Sequence, residues 1–332
     1  MSTVRPAQRG LLFLGCLLAF VRWEPAPYDL FLIIIFLLYA RGLTWKSYQL
    51  VFVVLLGPLL FTHVPALGAA LEVAPERTLY YSLVTLYLAL SSVFFMSLPE
   101  RSVPLLLLGY EVGALLSGLL GVLAFLRIPG LEDLLWGGSR AVAFFKDPNV
   151  FGAFLIPALF LALARLEQGR KFWILPALIL FLGVLVSLSR GAWANFAVAL
   201  LAWWLLRPRK RIWLPLVLLT LAGGVGISVV VMPDNPIVQR LGFMPYDKER
   251  FFTQMEALSL ALTQPLGYGP GLSEIHLSYA THNTYVRFLA EVGWLGLFFW
   301  LLILGTSLIW SLYQGLKQQR FRHEVYFVSL LG

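Results

Sequence analysis

Apolar residues along this chain come in long runs, interrupted by short charged stretches, with neither the 3.6-residue nor the two-residue spacing of a half-buried element. Helices apolar on every side belong in lipid. The runs predict spans at about Gly10–Arg22, Ala26–Ala40, Ser47–Phe61, Thr78–Leu98, Val103–Phe125, Val150–Ala164, Phe172–Leu188, Gly191–Leu206, Ile212–Met232 and Thr284–Tyr313. An eleventh begins near Val325 and reaches Gly332 incomplete. One connection is long, from Pro233 to about Thr281. Within it Glu249–Gln264 reads as a helix with Phe252, Met255, Leu258 and Leu262 on one stripe, and Pro265-Leu266-Gly267-Tyr268-Gly269-Pro270-Gly271 ends it sharply. This predicts a helix lying as a lid over the bundle.

Composition turns the pattern into a class. The 332 residues are 59% hydrophobic and 13% charged, whereas soluble domains carry about 25% charged residues. Helices are the spanning form that satisfies its own backbone within one segment, so the expectation is an all-α polytopic bundle of about 10–12 spans. It divides into transmembrane helices over 1–232, an outer loop with the lid helix over 233–283, and C-terminal transmembrane helices over 284–332. With the N-terminus inside, the cytoplasmic connections hold fifteen of the 25 Lys and Arg residues against three acids, and the outer side ten cations against thirteen acids. That asymmetry sets the orientation and accounts for the net charge of +8, leaving nothing that calls for nucleic acid. The single cysteine, Cys16, lies in the first span and excludes a disulfide framework. The basic start followed by a short apolar run is also the shape of a signal peptide, but no small-residue cleavage pattern follows Val21.

Candidate chemistry gathers at the outer ends. No Asp-x-Asp pair, no His cluster with metal-ligand spacing and no phosphate-binding glycine loop is present. Glu132 and Asp133 are adjacent, so on a helix they point apart, and neither a metal nor a cofactor is expected. Arg190, Arg240, Arg250, Arg287 and His282 remain. A guanidinium fork stays protonated and grips diphosphate with paired charge-assisted bonds; the bland alternative is that interfacial arginines snorkel to lipid headgroups. For Arg287 an ordinary helix pair with Glu291 suffices, whereas Arg190 sits in the tight Ser189-Arg190-Gly191 reversal with little room to snorkel. His282-Asn283 precedes Gly293-Trp294-Leu295-Gly296 by nine residues. At about 100° per residue His282, Gly293 and Gly296 fall on one helix face, where the glycines admit a close neighbour. An imidazole with an ordinary pKa near 6.5 suits a general base. His63 and His276 also lie outside without comparable geometry. Glu111 is a lone acid within a span whose Gly109, Gly113, Ser117 and Gly121 form a packing seam.

These motifs resemble the O-antigen ligase and polymerase family of bacterial membrane glycosyltransferases. The resemblance rests on His282-Asn283 with Gly293-x-x-Gly296, on Ser189-Arg190-Gly191, on Asp147-Pro148-Asn149 and on Pro265-Leu266-Gly267-Tyr268-Gly269 after Arg250. It runs from about Lys146 to Gly296, roughly half of the chain. It implies a GT-C-like membrane fold, no metal, a glycan donor carried on undecaprenyl diphosphate, and a lipid or glycan acceptor met at the outer face of the bacterial cytoplasmic membrane. Arg190 and Arg250 would hold the diphosphate, and His282 would orient or deprotonate the acceptor hydroxyl for inverting attack. Arg240, Asn149, Asn283, Tyr268 and Gly269 would line the substrate site. Ligation to lipid A core, polymerisation and transfer to a protein hydroxyl all remain open. A polytopic lipid or glycan transporter is the reading from another class, and Glu111 is its one residue at depth.

Overall fold

A computed structural model describes residues 6–39, 43, 45, 47–206, 242, 245–278 and 283–318. The candidate spans Ile212–Met232 and from Val325 onward, together with Arg240 and His282, lie outside the described residues. The fold is all-α: α1 (Pro6–Leu17), α2 (Pro27–Tyr39), α3 (Ser47–Phe61), α4 (Leu67–Val73), α5 (Pro75–Met96), α6 (Val103–Phe125), α7 (Pro148–Glu167), α8 (Ile174–Val186), α9 (Arg190–Leu206), α10 (Pro245–Thr263), α11 (Ser273–His276) and α12 (Thr284–Gln318). Between α6 and α7 a two-residue antiparallel hairpin pairs β1 (Leu135–Trp136) with β2 (Arg140–Ala141). Among the described residues four helices are long and apolar enough to cross a membrane, α5, α6, α7 and α12, and α2, α3 and α8 are shorter apolar helices. Leu30, Ile33, Ile34, Leu37 and Leu38 of α2 are all exposed, an outward apolar surface that belongs in a bilayer. This is a membrane protein of helices.

The chain forms two compact units, residues 1–41, 100–242 and 308–332 in one and residues 42–99 and 243–307 in the other. In the first, the glycine seam of α6 explains how the 12-residue α1 is held. A Cβ added at Gly109 would lie 1.9 Å from the Leu12 carbonyl oxygen, one at Gly113 2.6 Å from that of Cys16, and one at Gly15 on α1 2.2 Å from that of Leu106. The two backbones therefore touch, as small residues allow in lipid. Further along α6, Gly121 faces the ring of Phe151 and Gly118 faces Gly183 of α8. The core beyond is built by α7, α8 and α9 around Phe151, Leu155, Phe160 and Leu180.

In the second unit the governing feature is a break in α12. Thirty-five helical residues would run about 52 Å, well beyond a hydrocarbon core of about 30 Å. The helix is interrupted at Gly293, with φ 69° and ψ −167°. At the break the amide of Trp294 leaves its helical partner and donates to the Pro265 carbonyl (3.1 Å), while the freed carbonyls of Ala290 and Glu291 accept from Tyr268 and Gly269 (2.9 Å each). The Pro265–Gly269 turn is thus threaded into an opened helical turn, and three of the backbone groups freed there are re-satisfied by it. Only glycine fits: besides the positive φ, a Cβ at Gly293 would lie 2.0 Å from the Pro265 oxygen.

Candidate functional site

In the first unit, three connections that the charge count places on one side gather at one end. The Arg22 guanidinium donates to the Asp133 carbonyl (2.9 Å), Lys146 pairs with Glu24, and the amide of Val21 donates to the Phe144 carbonyl (3.1 Å). The reversal carrying Arg190 is locked into this end. Leu188 is forced to φ 48°, a conformation that costs a bulky residue about 1–3 kcal/mol and persists only where neighbours over-determine it. The neighbours are present. Arg140, at the start of β2, donates through Nε to the Ser187 carbonyl and through Nη2 to Asn149 Oδ1, both at 3.1 Å. Ser189 Oγ donates to the same Asn149 oxygen at 2.7 Å and caps α9 by accepting from the Ala192 amide at 3.2 Å. Asp147 caps α7, its Oδ1 accepting from the Asn149 amide at 2.6 Å. Arg190 then opens α9, and its Nη1 donates to the Gly242 carbonyl at 3.2 Å. The Asp147-Pro148-Asn149 and Ser189-Arg190-Gly191 motifs therefore meet side chain to side chain. Arg140, which completes them, carries no sequence signal of its own.

Glu111 is 5% exposed and belongs to an ion pair: its Oε2 accepts from Arg165 at 2.6 Å, and the guanidinium of Arg165 lies 4.0 Å from the ring centre of Trp173. The lone acid of the sequence has a partner on α7. Its second oxygen, Oε1, is buried and meets no hydrogen-bond donor among the described residues.

In the second unit Arg250 lies on α10 with its guanidinium 4.7 Å from the centre of the Tyr246 ring, and its buried Nε has no acceptor among the described residues. Asn283 caps α12, Oδ1 accepting from the amides of Tyr285 (2.9 Å) and Val286 (3.2 Å). The single helical face inferred for His282, Gly293 and Gly296 is corrected here: α12 begins at Thr284 and Gly293 is not helical, so angles counted across that stretch do not apply. The close approach expected of the glycines is present with other partners, the Pro265 turn at Gly293 and Thr62 Oγ1, 3.2 Å from a Cβ at Gly296. Gly269 (φ 108°) would meet Ala70 at 2.4 Å, and Tyr268 packs its ring against His276 at 4.2 Å between centres.

Arg287 is held as its spacing foretells, Nε donating to Glu291 at 3.0 Å. Its guanidinium also covers one side of the contacts to Tyr81 (4.5 Å), and Arg77 makes a second at 5.3 Å. Ser273 Oγ donates to the same Glu291 oxygen (2.6 Å), Arg77 Nε donates to the Gly271 carbonyl (2.6 Å), and Arg77 pairs with Glu274. Sequence reasoning missed Arg77 and Tyr81, though their four-residue spacing at the start of α5 was a usable signal. His63 is half-buried, its Nδ1 3.0 Å from the Leu59 carbonyl. Burial pushes its pKa below the ordinary value, against the opposing pull of that carbonyl and the Glu291 carboxylate.

Set beside known proteins, residues 175–301 match the family model described as O-antigen ligase. The matched stretch contains Arg190, Arg240, Arg250, Tyr268, Gly269, His282, Asn283, Gly293 and Gly296; Asn149 and Arg140 precede it. No curated protein matches the chain.

Proposed function

From the premise that residues 175–301 assign this chain to the O-antigen ligase/polymerase family, we propose that it transfers a glycan from undecaprenyl diphosphate to an acceptor hydroxyl, without metal, on the outer side of the bacterial cytoplasmic membrane. Glycan transfer of the O-antigen ligase type comes with the family; carrier, inversion, side and metal independence are our reading. The acceptor oxygen attacks the anomeric carbon from the face opposite the diphosphate. Its proton passes to His282, the bond from the anomeric carbon to the diphosphate oxygen breaks, and undecaprenyl diphosphate leaves with its electron pair. Arg190 and Arg250 are assigned to the charge that develops on that leaving group, where fixed donors stabilise a transition state most. The diphosphate is already a good leaving group, so positioning and fixed charge suffice, and no nucleotide is needed outside the cell.

The observation that carries this reading is the Arg190 reversal. A strained residue, a capping serine, a shared asparagine oxygen and a second arginine all fix the backbone at the point where one guanidinium enters α9. Such investment in one arginine's position supports recognition of a planar, multiply charged group and not loose attraction to headgroups. The test is incubation of purified protein with an undecaprenyl-diphosphate-linked glycan and candidate acceptors in excess EDTA, with products read by mass. The expected product is acceptor plus glycan; an intact donor after incubation with every acceptor class, or transfer that stops with EDTA, refutes the proposal.

A further inference from the structure

The helix α10 is built inside out for a lid surrounded by water. At about 100° per residue Phe251, Met255, Leu258 and Leu262 fall within an arc of about 60°, and all of them are exposed, Met255 at 65% and Leu262 at 72%. Phe252 widens the same stripe, and Leu266 in the turn that follows α10 is exposed too. The buried residues of α10 lie off this stripe and are mostly small, Asp247, Thr253, Ala257 and Ala261, with Leu260 partly buried beside Ala257. Small residues inward and large apolar residues outward is the arrangement of a helix whose outer solvent is hydrocarbon, whereas a water-facing patch of this size is a liability.

The end of α10 is also tied to an apolar helix of membrane-spanning length. Trp294 Nε1 donates to the Ala261 carbonyl at 3.1 Å, tying the end of α10 to the point where α12 resumes after its break. From there Trp294, Leu295 and Phe298 are exposed along the membrane-spanning part of α12. Trp294, where α12 resumes beside the Pro265–Gly269 turn, presents an exposed indole of the kind that prefers a hydrocarbon boundary. Toward the start of α10 the exposed Glu249 lies about 120° around the helix from Met255, on the polar side of an interfacial helix, and the exposed Lys248, in line with the stripe, has a stem long enough to carry its charge to the headgroups.

We infer that α10 is an interfacial helix whose Phe251–Met255–Leu258–Leu262 stripe is embedded in the acyl chains of the adjoining lipid leaflet, so that the membrane itself holds the loop in place. The inference does not depend on glycan transfer. It is tested with the full chain in a Cys16→Ser background, carrying one cysteine-linked environment-sensitive fluorophore at Met255, Leu262 or the exposed polar Glu249, which lies about 120° around the helix from Met255, in vesicles of phosphatidylethanolamine and phosphatidylglycerol. Labels at Met255 and Leu262 are expected to be quenched by doxyl-labelled lipid and to show an iodide quenching slope roughly fivefold below that of the Glu249 label. Because these side chains make no buried contact, the labels leave packing intact, and the two stripe positions serve as independent readings. Equal iodide access at all three positions would overturn the inference in favour of a water-facing lid. Protection at Met255 and Leu262 from both iodide and doxyl lipid would overturn it in favour of a protein surface closing over the stripe.

Discussion

Single residues decide whether the charges in this protein are structural or chemical. Glu111 and Arg165 lie 54 positions apart, a separation no local pattern betrays, so the sequence offered Glu111 only as an unexplained acid at depth. Paired, it is a packing element between α6 and α7. Removing one partner of a buried pair strands the other, at a cost of about 3–5 kcal/mol. Arg165→Ala should therefore lower thermal stability in detergent far more than Glu111→Gln, which keeps an acceptor for the guanidinium; equal loss from both would show that the carboxylate charge itself is not being compensated. His63 gives a pH handle on the second unit. Its folded pKa lies below its unfolded one because of burial, so its contribution to stability is complete above the unfolded value of about 6.5 and is lost as pH falls through that value toward the folded one. Thermal midpoints followed from about pH 7.5 to 5 should fall more steeply for the native protein than for His63→Gln; parallel curves would contradict the buried neutral imidazole. Arg190 and Asn149 could be recognised from motifs because their neighbours in sequence are distinctive. Arg140 could not, since its role comes from a two-residue strand that brings it to Ser187 from 47 positions away.

At the scale of elements, the apolar runs located α1, α2, α3, α5, α6, α7, α8, α9 and α12 within a few residues, because an all-round apolar run has few alternatives to a helix in lipid. The short α4 and α11, of 7 and 4 residues, left no periodic trace. The helix expected over Glu249–Gln264 is present as α10, and the apolar stripe read from its spacing is exposed. The Gly293-x-x-Gly296 motif was read as a smooth helical face, yet its first glycine is where the helix opens to receive the Pro265–Gly269 turn. That finding joins two motifs that begin 28 positions apart in order and are bonded in space. Gly293→Ala combines a positive φ with a backbone clash at 2.0 Å, so it should cost at least about 2–3 kcal/mol and unseat the turn. Gly305, on the same helix with nothing within 4 Å of an added Cβ, is the control: Gly305→Ala should be neutral or stabilising by up to about 1 kcal/mol. Comparable melting temperatures for the two variants would remove the account of the break.

For the molecule as a whole, composition was enough to name the solvent, and charge asymmetry predicted which connections share a side. Within the first unit Arg22 is bonded to Asp133, Lys146 to Glu24 and Ser189 to Asn149. The division into two units that the chain leaves and re-enters was beyond sequence reasoning, because it depends on contacts between helices far apart in order. The match of residues 175–301 to the O-antigen ligase model supports glycan transfer in general, and the chemistry we propose assigns separate tasks to two side chains. In that proposal Arg190 would hold the donor's diphosphate and His282 would take the acceptor's proton. Initial transfer rates measured against donor concentration distinguish those tasks in a single assay. The account predicts that His282→Gln lowers kcat about 10²-fold or more with little change in the half-saturating donor concentration, while Arg190→Lys raises that concentration at least about tenfold. Saturation curves for both variants that overlay the native curve would contradict it.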